Sequence, residues 1–329
     1  MPKVLIAPRE VAKFVGQFRD ALDRAGLEIT VLPPAEANEP TVDELLVALN
    51  GVEAVVAGSE PYTPQVLAAH PQLRVIARVG VGYDAVNVPA ATAAGVAVTI
   101  APGTNQGSVA EHAFALILGF TRHIPNRHAT MAAGGWNRVM SVPLRGRTLG
   151  LAGLGRIGKA VATRAAAFEM RVLAYDPLPD TAFCDAHGIA LVSFDQLLRE
   201  ADFLSLHLPL TAETRHVINH ASLARMKPGA VLVNTSRGGL VREADLITAL
   251  RDGPLGGAAL DVFEVEPTPA NNPLRTLPNV VLTPHAAGVD VQSLEDMARS
   301  AAQAIASIRR GEWPVEKVVN PEVRAKFLW

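Results

Sequence analysis

The chain has 329 residues, enough for two domains with separate hydrophobic cores. Its 30 Lys and Arg residues nearly balance 32 Asp and Glu residues, leaving a net charge of −2 with no basic block, which argues against a nucleic acid partner. The single cysteine, Cys184, excludes an internal disulfide framework and fits a reducing compartment.

The apolar run Val4-Leu5-Ile6-Ala7 is too short for a signal peptide. No window reaches the ~18 uninterrupted apolar residues of a membrane helix. A cytoplasmic protein without a membrane or metal partner is expected. Residues 3–7 read as a buried strand. Apolar residues at 11, 14, 15, 18, 21 and 22 mark one helical face over 11–25. Strand 28–32 is closed by Pro33-Pro34, and helix 42–49 follows. Next come strand 54–57, helix 64–69, strand 73–79, helix 90–94 and strand 96–100. This alternation predicts a doubly wound β/α sheet. It holds no G-x-G-x-x-G, so it is not the dinucleotide domain.

Pro102-Gly103 punctuates a boundary. A long apolar helix is expected over 108–121, then a helix and an arm over 123–147. The alternation resumes with strands at 149–152, 171–175, 189–192, 203–206, 230–234, 257–261 and 280–283. Helices are expected at 194–199, 221–226 and 243–251. A last helix over 294–308 lies too far along to extend that sheet.

The chemistry starts at Gly153, Gly155 and Gly158, a G-x-G-x-x-G between a strand and a helix. The glycines serve a tight turn, close approach of backbone to a pyrophosphate, and packing of helix on strand. The helix N-terminus offers free N–H groups to phosphates. The next strand ends in Asp176, close to the ~20-residue spacing expected of the acid that holds the adenosine ribose. No cation follows it, only Pro177, Leu178, Pro179 and Asp180, so NAD is expected over NADP. The bland alternative is that Asp176 only caps the turn before Pro177.

Three further side chains sit where strands end: Arg237, Glu266 and His285. Singly, each has a dull reading as a turn residue, a solvated acid and a structural histidine. Together they fit one reaction. A guanidinium binds a carboxylate through two parallel hydrogen bonds. A histidine exchanges protons near neutrality, and a neighbouring carboxylate raises its pKa and fixes its ring. With a nicotinamide, the set suits reversible reduction of a 2-keto acid.

The chain resembles the D-isomer-specific 2-hydroxyacid dehydrogenases. The likeness rests on Arg78 to Asp84, Ser108-Val109-Ala110-Glu111-His112, the glycine loop, Asn234 to Gly239, Ala258 to Phe263 with Glu266-Pro267, and Pro284-His285. The resemblance implies that Arg237 holds the substrate carboxylate and polarises its carbonyl, with His285 as acid/base and Glu266 its partner. It implies that Arg156 and Ile157 lie over the pyrophosphate, and Asp261 and Thr235 along the nicotinamide. Leu208, Pro209, Ser236 and Gly288, with Arg237 and His285, would complete the cofactor contacts. Arg78, Val79, Gly80 and Asn105 would face the substrate from the other domain.

The resemblance also implies an architecture of two doubly wound parallel-sheet domains. A Rossmann NAD-binding domain, 103–288, would be inserted into a flavodoxin-like substrate domain made of 1–102 and 289–329. Hinges would lie near Pro102-Gly103 and Gly288-Val289. A homodimer through the arm is implied, with Trp136 either at the interface or packed locally. The expected activity is NAD-dependent interconversion of a small D-2-hydroxy acid and its keto acid. Phosphoglycerate dehydrogenases of this family often carry an arginine at the place of Gly58, and a regulatory domain beyond the span of Trp329. Their absence here favours an unphosphorylated substrate such as hydroxypyruvate, glyoxylate or a sugar acid. Arg78 could still supply a cation, so phosphoglycerate dehydrogenase stays as an alternative. A second alternative is an NAD(H)-sensing, corepressor-like binding protein. Formate or phosphite oxidation is a third, disfavoured by the presence of Glu266.

Overall fold

A computed structural model describes residues 1–33 and 40–329. Pro34, half of the expected Pro33-Pro34 stop, lies outside the described residues. The chain divides into two compact units, Met1–Asn105 with Val289–Trp329, and Gln106–Gly288.

The first unit holds strands β1 (Lys3–Ile6), β2 (Glu28–Val31), β3 (Val52–Ala57), β4 (Val75–Arg78) and β5 (Ala97–Thr99). They form one parallel sheet in the order β2-β1-β3-β4-β5. That is the flavodoxin-like order. β3 and β4 are almost wholly apolar and buried, as a sheet covered on both faces requires. The last long helix, Val291–Arg309, returns to this unit. It packs on helix Val15–Arg24 and on β3 and β4. Its small-residue stripe of Ala298, Ala301 and Ala302, with Ile305, is buried with Val4, Ile6 and Phe18.

The second unit adds β6 (Thr148–Ala152), β7 (Arg171–Tyr175), β8 (Ala190–Leu191), β9 (Phe203–Leu206), β10 (Val231–Asn234), β11 (Gly257–Leu260) and β12 (Val280–Leu282). All pair parallel, in the order β12-β11-β10-β9-β6-β7-β8. The strand order reverses between β6 and β9. Open parallel sheets bind ligands beyond the strand C-termini at such a switch point.

Three local expectations differ from the structure. The helix expected over 11–25 is split into Arg9–Ala12 and Val15–Arg24. Phe14 between them leaves helical geometry at φ −102° and ψ 6°, while Val11 and Val15 both stay buried. The strand expected over 189–192 shrinks to two exposed edge residues. A helix at Thr181–His187 went unforeseen because Cys184 alone is buried in it. Its ends were signalled by Asp180, which caps Phe183 N–H, and by Gly188 in the left-handed region.

Candidate active site

The glycine loop leaves the C-terminal end of β6. Gly153 has φ +100°, and its N–H donates to the Tyr175 carbonyl at 2.8 Å. A Cβ there would lie 2.6 Å from the His207 carbonyl oxygen; one on Gly158 would lie 2.3 Å from that of Gly153. Both positions therefore exclude any side chain. Gly155 differs: no atom lies within 4 Å of a Cβ added there. It is also the N-cap of helix Arg156–Ala167 and provides no side-chain cap. The first-turn N–H groups are left to an outside acceptor.

Asp176 stands at the end of β7. One carboxylate oxygen accepts the Leu154 N–H of the glycine loop at 2.7 Å, and the other accepts Leu178 N–H at 2.8 Å. The turn-capping role is thus real, and the same carboxylate is tied to the loop. Beyond β9, the Leu208 carbonyl accepts Ser236 Oγ–H at 2.6 Å, and that of Pro209 accepts Thr214 Oγ–H at 2.6 Å. The neighbouring Thr235 Oγ1 is buried without a partner in the protein.

The ends of β10, β11 and β12 gather the acid/base candidates. Asn234 shapes the loop after β10. Its Oδ1 accepts Ser236 N–H at 3.0 Å and its Nδ2 donates to the Arg237 carbonyl at 2.9 Å. Arg237 Nη1 donates to the Ser236 carbonyl at 2.6 Å. After β11, Phe263 N–H donates to Glu266 Oε1 at 2.8 Å. Glu266 Oε2 then meets His285 Nδ1 at 2.6 Å. This bond raises the His285 pKa from its ordinary value, against burial and the Arg237 charge. With Nδ1 committed to the carboxylate, Nε2 is the nitrogen left to exchange a proton. The ring stays 46% exposed, so a ligand can reach it.

His285 sits at φ +52°, a left-handed conformation uncommon outside glycine. Asp261 holds it there. The Asp261 carbonyl accepts His285 N–H at 2.7 Å, and its carboxylate accepts Ala286 and Ala287 N–H at 2.9 Å each. Burial works against ionisation of Asp261. Hydrogen bonds from His112, Thr283 and the two amides outweigh it and hold the pKa at about 2. The carboxylate is fully buried, so it faces the His285 loop rather than open space. Gly288 closes this unit.

The other candidates lie in the first unit. β4 ends in Arg78, whose Nε donates to the Gly82 carbonyl at 2.9 Å. Val79 N–H donates to the Ala57 carbonyl at 2.7 Å, and the Gly80 carbonyl accepts Ala101 N–H at 2.8 Å. Arg78 and Asn105 are buried.

Residues 114–287 match the family model of the D-isomer specific 2-hydroxyacid dehydrogenase NAD binding domain. That span is more than half of the chain. The chain belongs to the D-isomer specific 2-hydroxyacid dehydrogenase family. A glyoxylate reductase of Korarchaeum cryptofilum is 42% identical over 80% of this chain and 81% of that one. A D-3-phosphoglycerate dehydrogenase of Mycobacterium leprae is 40% identical over 98% of this chain, which spans 61% of that protein's length. Among solved structures, D-lactate dehydrogenase from Aquifex aeolicus, complexed with NAD and lactic acid, superposes with a TM-score of 0.82. It is 29% identical, covering 96% of this chain and 98% of that one.

NAD is the cofactor of this dehydrogenase family, and the residues present fit it. The helix that starts after Gly155 has no side-chain cap on its first-turn N–H groups, and Thr235 leaves a buried hydroxyl for a ligand. Among the described residues no group of three side chains could hold a metal. No described helix is long and apolar enough to cross a membrane. The structure brings Glu266 and His285 into direct contact and sets Arg237 near enough to affect the histidine's pKa. Asn234 was missed as an organiser of the site. Its signal was an Asx residue at a strand end, two places before the amide it binds.

Proposed function

We propose that this dehydrogenase reduces a small unphosphorylated 2-keto acid to its D-2-hydroxy acid, with His285 as the proton donor. The observation that carries the reading is the 2.6 Å contact between His285 Nδ1 and Glu266 Oε2. When bound, NADH supplies the hydride that reaches the substrate 2-carbon. Arg237 binds the substrate carboxylate and polarises the carbonyl. His285 Nε2 delivers the proton to the carbonyl oxygen, and Glu266 stabilises the charged ring beforehand. In the reverse direction neutral His285 takes the hydroxyl proton. The helix at Arg156 and Ile157 receives the pyrophosphate, with Asp176 at the ribose and Thr235, Ser236, Leu208, Pro209 and Gly288 along the cofactor. Asp261 acts there by holding the loop.

The first unit is proposed as the substrate domain, with Arg78, Val79, Gly80 and Asn105 as contacts. Its local chemistry supports the unphosphorylated choice. Gly58 N–H donates to the buried carboxylate of Glu60 at 2.6 Å. A Cβ on Gly58 would lie 2.8 Å from Glu60 Oε1 and 2.9 Å from Pro8. The place where a phosphate-binding arginine stands in some relatives is therefore closed by an acid. A homodimer in the cytoplasm completes the proposal. The arm supports it by exposing Trp136 (76%) and Met140 (92%) to solvent.

The test is NADH turnover over hydroxypyruvate, glyoxylate, pyruvate and phosphohydroxypyruvate. Efficient reduction of an unphosphorylated acid is expected, with loss of roughly 10²–10⁴-fold in His285→Ala. Phosphohydroxypyruvate turned over well above hydroxypyruvate would assign the phosphoglycerate reaction instead. NADH binding without turnover of any acid would favour a sensing protein.

A further inference from the structure

Ser108 and His112 lie one turn apart on helix Gln106–Thr121, and both reach the segment that carries His285. Ser108 Oγ–H donates to the Ala287 carbonyl at 2.8 Å. His112 Nε2 lies 2.9 Å from Thr283 Oγ1 and 3.3 Å from Asp261 Oδ1. Asp261 is ionised near neutrality, so it only accepts. Thr283 spends its one proton on Asp261 Oδ1, at 2.5 Å. Its oxygen is then an acceptor toward His112, so His112 carries a proton on Nε2. That N–H serves Thr283 and Asp261 together.

The result is a clasp. Thr283 and Ala287 flank His285 in sequence, and the helix grips both. Between them Asp261 binds the amides of His285, Ala286 and Ala287. His285 needs this support because a left-handed backbone is costly outside glycine and persists only when its surroundings over-determine it. We propose that His112, with Ser108, is a positioning residue for His285: it holds the 283–287 segment so that the imidazole meets Glu266 and the reacting oxygen. Their hydrogen bonds run to Ala287, Thr283 and Asp261 and not to the imidazole. The proposal rests on the reading of His285 as the acid/base.

The experiment compares His112→Leu, His112→Gln and Ser108→Ala with the unaltered enzyme and with His285→Ala. It measures kcat and KM for the best keto acid, NADH affinity by fluorescence, and melting temperature. His112→Leu should lower kcat about tenfold to hundredfold, the scale of a small misplacement of a reacting group. NADH affinity should change less than about twofold. His112→Gln places an amide N–H near the Nε2 position and should recover most of kcat. On the His285→Ala background, His112→Leu should cause no further loss, because the group it positions is gone. Wild-type kcat in His112→Leu, no recovery in His112→Gln, or an undiminished loss on the His285→Ala background would each overturn the proposal. If His112→Leu does not fold, Ser108→Ala carries the same expectation. Full activity in His285→Ala would instead overturn the acid/base reading itself.

Discussion

A Cβ placed on Gly238 would lie 1.9 Å from the carbonyl carbon of Phe263. The two residues belong to different loops. Gly238 follows Arg237 after β10, and Phe263 begins the turn whose amide binds Glu266 after β11. Backbone pressed on backbone at this point fixes the guanidinium loop relative to the carboxylate that orients His285.

Gly238→Ala should therefore damage catalysis through both loops at once. The added methyl has no room, because its neighbour is main chain rather than a flexible side chain. Overpacking of this kind costs ~1–3 kcal/mol, and the displaced loops should lower kcat about a hundredfold. Thermal melting and steady-state kinetics check both parts. A variant with the wild-type melting point and kcat would show that the loops move freely past each other.

Glu266→Gln tests the pairing with His285 by pH. The Glu266 hydrogen bond holds the His285 pKa above its ordinary 6.5. Reduction needs the protonated ring, so reductive kcat/KM should be full below that raised pKa and fall as pH rises through it. Without the carboxylate the largest raising influence is gone; burial and the Arg237 charge still lower the pKa, opposed only by the Asp261 charge. The descending limb should move to lower pH, and oxidation of the hydroxy acid should gain at the acidic end. An unmoved limb would separate Glu266 from the titrating group. The same sign applies to stability: the raised pKa stabilises the fold below the unfolded-state value, and that gain is lost as pH rises through the folded pKa.

Much of this site was legible in the sequence because backbone needs constrain residue choice. Gly153 and Gly158 abut main chain, and a motif follows from that. Arg237, Glu266 and His285 stand at strand ends, where periodicity stops and chemistry begins. The resemblance set Asp261 along the nicotinamide; that its carboxylate is also turned inward onto two amides beyond β12 was not legible. Such a bond depends on the neighbouring of β11 and β12, which no local pattern records. The break at Phe14 was hidden for a related reason, since the apolar spacing of Val11, Val15 and Phe18 reads as one helix.

The glycine loop allows a paired prediction. Gly158→Ala must push the Gly153 carbonyl aside, so it should lower stability and NADH affinity together. Gly155→Ala meets no protein atom and sits at φ −69°, which any residue adopts. It should fold with the wild-type melting point and lose NADH affinity alone, about tenfold or more if the methyl keeps the pyrophosphate from its amides. Melting curves and NADH fluorescence titrations read the two properties separately. Unchanged affinity in Gly155→Ala would move the pyrophosphate away from this loop.

Cofactor choice should rest on the charge of Asp176 rather than on its shape. Its two oxygens accept the Leu154 and Leu178 amides and keep lone pairs for ribose hydroxyls. A 2′-phosphate there would set a second anion against the carboxylate. Like charges ~4 Å apart cost on the order of 1–4 kcal/mol, depending on solvent access. The kcat/KM for NADH should exceed that for NADPH by about tenfold or more, in line with this penalty. Asp176→Ala should lower the ratio but also frees both amides, which blurs its cause. Asp176→Asn removes the charge and keeps an acceptor for one of the two amides. It should lower the melting point less than Asp176→Ala does and raise NADPH turnover more than it lowers NADH turnover. A wild-type ratio below one, or an unchanged ratio in Asp176→Asn, would place the adenosine ribose elsewhere.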